Sequence, residues 1–137
     1  MGDANDSMSI SAAGLRAQAA RMRIISENIA NAESTAREPG GDPYRRQIPV
    51  FEAELDRATG LNMVRMTDVA PDESEFTLEY DPGHPAANAE GYVSTSNVQM
   101  LVEMMDMREA MRTYEANLNM IENSRRMQQS TLDLLRR

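Results

Sequence analysis

The residue types that could support catalysis or bind a metal are few in this chain of 137 residues. Its one histidine, His84, lies in the Pro- and Gly-rich stretch 81–85, and there is no cysteine. A zinc site usually needs three or four ligands, and a serine nucleophile needs a base beside it. Gly40 and Gly41 lack the spacing of a phosphate-binding loop. We therefore expect no metal, no cofactor and no enzymatic activity.

Two other clusters of residues could be assigned a chemical role, but the sequence around each cluster argues against that role. The carboxylates of Asp72, Glu73 and Glu75 have no sign of a cleft around them, which favours a solvated loop. Five methionines late in the chain resemble the thioether sets that bind Cu(I). Their heptad spacing instead favours a packing stripe. These methionines are Met100, Met104, Met105, Met107 and Met111.

The charge of the chain is concentrated in its middle. The net charge is −8, and residues 48–96 contain ten acids but only Arg57 and Arg65. The two ends are each balanced, and every basic residue is Arg. Nucleic-acid binding needs a basic surface, so we expect no nucleic-acid partner. No apolar run approaches the length of a membrane span, and no stretch has the pattern of a cleaved signal peptide.

The first segment, residues 9–32, has the periodicity of a helix. Apolar or small residues recur at alternating steps of four and three, which is the seam period of a coiled coil. Three of the seven are small, which permits the close approach of a second helix. The residues of this seam are Met8, Ala12, Leu15, Ala19, Met22, Ser26 and Ile29.

The last segment, residues 97–135, gives the strongest signal in the chain. About five heptads follow without Gly or Pro, so a single helix would extend roughly 55–60 Å. Ser96 and Gln99 have the spacing of a capping box. The predicted seam consists of Met100, Met104, Met107, Met111, Tyr114, Leu118, Ile121, Arg125, Gln128, Leu132 and Leu135.

Between the helices, short runs of residues have β character. The candidate strands are 47–51, 62–67 and 75–80, and in the last of these the alternation of Phe76, Leu78 and Tyr80 predicts a half-buried strand. Residues 81–85 predict a turn.

The sequence as a whole predicts a mainly α fold with a small β-rich middle, its terminal helices forming a coiled-coil-like bundle. The expected domains are a helical terminal domain, 1–47 with 97–137, and an acidic middle domain, 48–96. Whether the two helices pair within one chain or only between chains stays open at this point.

Several motifs resemble the bacterial flagellar rod and hook proteins. The stretch from Ile25 to Ala32, with Ser34 and Thr35 after it, is similar to the Asn-x-x-Asn signature of that family. Further likenesses to its proximal rod members are Pro43-Tyr44-Arg45-Arg46, residues 81–85, Gly91-Tyr92-Val93, Asn97-Val98, residues 103–107 and Tyr114-Glu115-Ala116-Asn117. Residues 52–75 have no close counterpart.

The resemblance implies a structural subunit of the proximal rod of the flagellar basal body, which polymerises through its terminal helices and transmits torque. It implies a position in the periplasm-spanning rod, reached without a cleaved signal peptide. The implied partners are the chain itself, other rod subunits, a basal-body adaptor protein and the flagellar type III export apparatus. The residues expected at subunit contacts are Leu15, Met22, Asn28, Ile29, Asn31, Met104, Met111, Tyr114, Asn117, Leu118 and Ile121.

Two alternatives remain beside this hypothesis. One is another rod protein of the same family, such as the sister proximal rod subunit. The other is a soluble coiled-coil adaptor or chaperone, for which the free chain would be a stable helical dimer. A rod subunit would instead have frayed ends and form no fixed dimer.

Overall fold

A computed structural model describes residues 2–137 as two long helices with four strands between them. The strands form two separate two-stranded sheets, β1 with β2 and β3 with β4. The predicted fold class, mainly α with a β-rich middle, is confirmed. In chain order the elements are α1 (Gly2–Ala30), β1 (Gln47–Asp56), β2 (Leu61–Pro71), β3 (Thr77–Tyr80), β4 (Tyr92–Thr95) and α2 (Met100–Leu135).

The chain forms two compact units, each of which takes segments from both helices. The first unit contains the residues up to Met22, Val50–Asp68 and the residues from Arg108 onward. The second unit contains Arg23–Pro49 and Val69–Met107. These boundaries differ from those at residues 47 and 97, and the predicted division into a terminal and a middle domain stays a prediction.

In the first unit, α1 and α2 pair in antiparallel fashion through small and polar side chains. Gln128 Nε2 donates a hydrogen bond to Asn5 Oδ1 at 2.6 Å, and the hydroxyls of Ser7 and Ser124 lie 3.5 Å apart. Further along, a Cβ placed on Gly14 would lie only 2.7 Å from Asn117 Nδ2. Because residue numbers rise on one helix as they fall on the other, the pairing is antiparallel. The helices thus contact each other within one chain.

This pairing uses rows of residues adjacent to the predicted seams. On α1 the row through Ser7, Ser11 and Gly14 faces α2, one position before the predicted Met8, Ala12 and Leu15. Small side chains let two helix backbones approach closely, and the larger predicted residues lie beside the contact.

The start of α2 also differs from the prediction. The helix begins at Met100 rather than Asn97, and Ser96 Oγ accepts a hydrogen bond from the N–H of Val98 at 3.2 Å. The predicted capping box of Ser96 and Gln99 is therefore wrong. Ser96 instead closes a short turn ahead of the helix.

The β1–β2 hairpin belongs largely to the first unit, and both strands are longer than predicted. Its turn is closed by the N–H of Gly60, which donates to the carbonyl of Asp56 at 2.7 Å, and Gly60 has a φ of +74°. The hydroxyl of Thr59 and the N–H of Ala58 donate to the Asp56 carboxylate, and these bonds lower the pKa of Asp56.

The β3–β4 sheet belongs to the second unit and is antiparallel, with Tyr80 opposite Tyr92. The candidate strand at residues 75–80 is confirmed by β3, but its predicted half-burial is wrong, because Leu78 and Tyr80 are 61% and 65% exposed. The strand β4 was not predicted. Val93 of β4 lies in a small buried cluster with Ala36 and Ala86.

Candidate subunit interface and buried polar network

A buried ion pair lies at the centre of the second unit. The side chain of Glu103, in the first turn of α2, is fully buried and accepts a hydrogen bond from Arg46 Nε. The same guanidinium contacts Asp72 at 3.2 Å and Asp106 at 3.4 Å. A buried carboxylate is stable only where its charge and lone pairs are matched. Arg46 thus fixes the start of α2 against the segment that leads into β1.

Asn28, near the end of α1, uses its whole side-chain amide in the same unit. Its Oδ1 accepts hydrogen bonds from the hydroxyl of Tyr44 at 2.8 Å and the N–H of Gln47 at 2.9 Å. Its Nδ2 donates to the carbonyl of Gln47 at 2.8 Å and to Glu103 Oε2 at 3.3 Å. The side chain is 1% exposed. One residue therefore joins α1, the start of β1 and α2.

Asn97 plays a comparable part just before α2. Its Oδ1 accepts from the N–H of Arg46 at 2.7 Å, and its Nδ2 donates to the carbonyl of Asp72 at 3.0 Å and to Ser74. Arg45 donates to the same two carbonyls and stacks on the ring of Phe76, with its guanidinium carbon 4.3 Å from the ring centre. We call the connected set of Asn28, Tyr44, Arg46, Asp72, Asn97 and Glu103 the polar network.

The pKa shifts within the polar network favour the charged forms of Arg46 and Asp72 and the neutral form of Tyr44. Burial alone would lower the pKa of Arg46, but its hydrogen bonds and attraction to Glu103 and Asp72 outweigh burial and raise that pKa. Hydrogen bonds from Ser74, with a smaller contribution from Arg46, lower the pKa of Asp72. Burial, together with the charges of Glu27 and Glu103, raises the pKa of Tyr44, so its hydroxyl remains a donor.

This arrangement orients segments of the chain rather than performing chemistry. Its bonding atoms are directed at one another, and its central carboxylate is closed to solvent. Across residues 2–137, no group of three or more His, Asp or Glu side chains is placed to hold a metal ion. In the same range, neither helix is apolar enough over a sufficient length to cross a membrane.

His84, the one histidine considered for catalysis or metal binding, is held by hydrogen bonds within the fold. His84 lies in the turn after β3, where its Nδ1 accepts from the N–H of Ala86 at 3.0 Å and its Nε2 lies 3.4 Å from Thr35 Oγ1. The predicted turn over residues 81–85 is confirmed by the bond from the N–H of His84 to the carbonyl of Asp81.

A row of large side chains on α2, all but one of them apolar, is left exposed. We call the residues Met104, Met111, Leu118, Arg125 and Leu132 the outer row; they recur every seven residues on one face of the helix. Met104, Met111 and Leu118 are 56%, 50% and 41% exposed. The residues that precede the first four of them by one position form the inner row, which is Glu103, Ala110, Asn117 and Ser124. In the inner row, Glu103, Ala110 and Ser124 are buried and Asn117 contacts Gly14.

The predicted contact residues on α1 lie partly inside the chain. Asn28 is buried in the polar network, while Leu15, Met22 and Ile29 are half-buried. Asn31 follows the last helical residue, and its Nδ2 donates to the carbonyl of Glu27 at 2.8 Å, which helps to end the helix.

The predicted contact residues on α2 fall into two groups. Met104, Met111 and Leu118 belong to the exposed outer row, whereas Tyr114, Asn117 and Ile121 are half-buried. A role in subunit contacts stays a prediction for both groups.

The polar network itself was not predicted from the sequence. Most of its members had appeared within the motifs that resemble the flagellar family, such as Tyr44-Arg45-Arg46 and residues 103–107, whereas Asp72 had been assigned to a solvated loop. The predicted seam of α2 contains Met104 rather than Glu103, so the sequence did not mark Glu103 as a buried charge.

Comparisons with known proteins agree with these motifs. Residues 89–134 match the family described as "Flagellar basal body rod FlgEFG protein C-terminal". The flagellar basal-body rod protein FlgC of Agrobacterium fabrum is 50% identical over 127 residues, covering 93% of this chain and 91% of that protein. The FlgC proteins of Borreliella burgdorferi and Bacillus subtilis are 39% and 34% identical, covering 94% and 93% of this chain and 95% of each relative.

The likeness extends over nearly the whole length of these relatives, including both helices and the segments that meet in the polar network. The relatives are named as rod proteins of the flagellar basal body, which indicates a structural, non-enzymatic role. This chain belongs to the FlgC family of flagellar basal-body rod proteins.

Proposed function

We propose that the chain is a structural subunit of the proximal rod that polymerises through its terminal helices, with itself and with related rod subunits, and so transmits torque. The observation that carries this proposal is the outer row of α2. Met104, Met111 and Leu118 remain 41–56% exposed on a helix of 36 residues. Contiguous exposed apolar side chains are typical of protein–protein contact sites.

Burial of the outer row would supply a large part of the association energy. Full burial of a Leu or Met side chain contributes about 1.5–3 kcal/mol, and side chains that are half exposed retain about half of this for a partner. Methionine is unbranched and adapts to surfaces of different shape. A methionine-rich row therefore suits a subunit that has related but non-identical neighbours.

The polar network suits the mechanical part of the proposal. A rod that transmits torque needs its helices to keep their orientation under load. In the second unit, hydrogen bonds and ion pairs from three sequence segments fix the start of α2. Directional bonds of this kind resist rotation of a helix about its own axis better than apolar contacts do.

We also propose the finer location and partners that the family implies. The chain would leave the cell through the flagellar type III export apparatus without cleavage of a signal peptide, join the periplasm-spanning rod, and meet a basal-body adaptor protein at its base. The similarity to rod proteins over nearly their full length supports this proposal.

The proposal is tested by Leu118→Asp in the flagellated host. Because Leu118 is 41% exposed in the free chain, a carboxylate there should leave the fold intact and the protein exported. In an assembled rod the same charge would be buried without a partner, which is strongly unfavourable. We expect loss of rod assembly and of swimming, measured by motility assays and by electron microscopy of basal bodies.

The matched control is Asn119→Asp. It adds the same charge one residue away, on another exposed face of α2. This variant should assemble and swim. Normal rods in the Leu118→Asp strain would show that the outer row is no subunit contact.

A further inference from the structure

We propose that the outer row of one copy docks into a groove on a second copy of this chain, between its α1 and its β1–β2 hairpin. The contact would be head-to-tail, joining two different surfaces. This inference rests on the proposed function and names the surface that receives the outer row.

The groove lies within the first unit and has a volume of about 700 Å³. Its floor is formed by Ala13, Ala17 and Ala20 of α1, which are too small to fill the space above them. Leu55 and Val64 of the hairpin line one wall and are 58% and 41% exposed. The groove thus has an apolar floor and apolar side chains on one wall, charged residues at its borders, and room for several side chains.

The spacing of the outer row fits this floor. Met111 and Leu118 are one heptad apart on α2, which places them about 10 Å apart along the helix. Ala13 and Ala20 are also one heptad apart, with Ala17 between them. Large side chains on one helix can therefore lie over small ones on the other at the same interval.

Charges beside the two surfaces are complementary. Of the charged residues that border the groove, Glu54 pairs with Arg65 and Asp56 accepts hydrogen bonds within its own turn, which leaves Arg16 and Arg57. On the other surface, Glu115 and Glu122 lie one turn before and one turn after Leu118. Arg16, Arg57, Glu115 and Glu122 are exposed, and within the described chain none of these four makes an ion pair or a hydrogen bond. Such pairs would orient the contact more than strengthen it.

Pairing of the outer row with another outer row is less favourable. It would bring Glu115 and Glu122 of one copy against the same glutamates of the next. It would also bury the same patch on both copies, so that association would end at a dimer. A contact between different surfaces leaves one groove and one outer row free at the two ends, and can continue along a rod.

Engineered cysteines test this contact directly, because the chain has no cysteine of its own. Two chains of different size, one with Leu118→Cys and one with Val64→Cys, are expressed together in the flagellated host. Diamide then oxidises any adjacent thiol pair, which loses two protons and two electrons to the reagent and forms one disulfide. Bridging requires Cα atoms about 4.4–6.8 Å apart.

We expect a disulfide-linked heterodimer in isolated basal bodies, from cells that still swim. Replacing Leu118→Cys by Met120→Cys, which lies on another exposed part of α2, should abolish the heterodimer band. A second pair, Met111→Cys with Leu55→Cys, repeats the test one heptad earlier.

Two results would overturn the inference. One is the absence of a heterodimer from both pairs; the other is a Leu118→Cys homodimer without any link to residue 64. If Leu118→Asp still blocks assembly in either case, the outer row contacts a different surface and the proposed function survives. If Leu118→Asp assembles normally, the proposed function fails with it.

Discussion

Two adjacent rows of α2 differ in composition and in surroundings. The inner row, Glu103, Ala110, Asn117 and Ser124, is small or polar and faces its own chain. The outer row, one position further along at every heptad, has Met104, Met111, Leu118 and Arg125, and is exposed. A helix in an isolated globular protein normally buries its most apolar face. Here the larger apolar side chains lie outside, where partners can reach them.

The inner row is specific where the outer row is adaptable. In the first unit, Gly14 and Asn117 allow a close approach that larger residues would prevent. In the second unit, Glu103 is held by directional bonds from Arg46 and Asn28. The methionines of the outer row are flexible and can pack against surfaces of different shape. One helix can in this way hold its own chain in one arrangement and still accept several neighbours.

The largest expected effect is that of Glu103→Ala. Loss of this carboxylate leaves the Arg46 guanidinium partly buried without its main partner, and breaking such a pair costs about 3–5 kcal/mol. We expect that loss in the free energy of unfolding, measured with urea by circular dichroism. Met104→Ala, the next residue along the helix but in the outer row, should change stability by no more than about 0.5 kcal/mol.

Equal losses from Glu103→Ala and Met104→Ala would break the distinction between the rows. The same measurement with Glu103→Gln separates charge from shape. The amide keeps the size of the side chain and lacks its charge, so we expect a loss between those of the other two variants.

The heptad period of both helices could be predicted from the sequence, but the row used within the chain could not. Apolar periodicity gives weight to large residues, and so it selects Met104, Met111 and Leu118. The contact inside the chain instead depends on small residues such as Gly14 and Ala110, which contribute little to a hydrophobic pattern. The predicted period of the helices was therefore right, while the rows that face each other lie one residue away from the predicted seams.

In the middle of the chain, local sequence patterns predict only part of the structure. The candidate strands 47–51 and 62–67 lie within β1 and β2 but are too short, and the candidate 75–80 contains β3. Strand β4 has only four residues and was missed. The polar network joins Asn28, Arg46 and Glu103, which are far apart in sequence. Each of these residues, taken alone, is of a type that usually lies at the surface, and only the fold shows that the three meet.

A medium effect is expected where the helices approach most closely. With Gly14→Ala, the new Cβ would lie 2.7–2.9 Å from the amide of Asn117. Overpacking of this kind typically costs about 1–3 kcal/mol, whereas alanine in place of glycine favours a helix by about 1 kcal/mol. We expect Gly14→Ala to destabilise the native chain and to stabilise the Asn117→Ala variant, as measured by urea unfolding.

The coupling between Gly14 and Asn117 has a control in the outer row. Gly14→Ala combined with Leu118→Ala should give additive changes, because Leu118 faces away from Gly14. Additivity with Asn117→Ala would instead mean that these helices do not meet at this position.

The smallest effect concerns Asp72, which shares Arg46 with the inner-row residue Glu103. Hydrogen bonds from Ser74 and the pairing with Arg46 lower the pKa of Asp72, so its ionised form is favoured in the folded chain. Its contribution to stability is therefore present above the ordinary carboxyl pKa of about 3.9, and is lost as the pH falls through the lowered value. Because Asp72 is partly exposed, this contribution is about 0.5–1 kcal/mol at neutral pH. Asp72→Asn should be less stable than the native chain at pH 7 by this amount, and the difference in unfolding midpoint should begin to shrink below about pH 4 and close as the pH falls through the lowered pKa. A difference that persists unchanged at pH 3 would assign the role of Asp72 to its shape, leaving Glu103 as the carboxylate whose charge holds α2 in place.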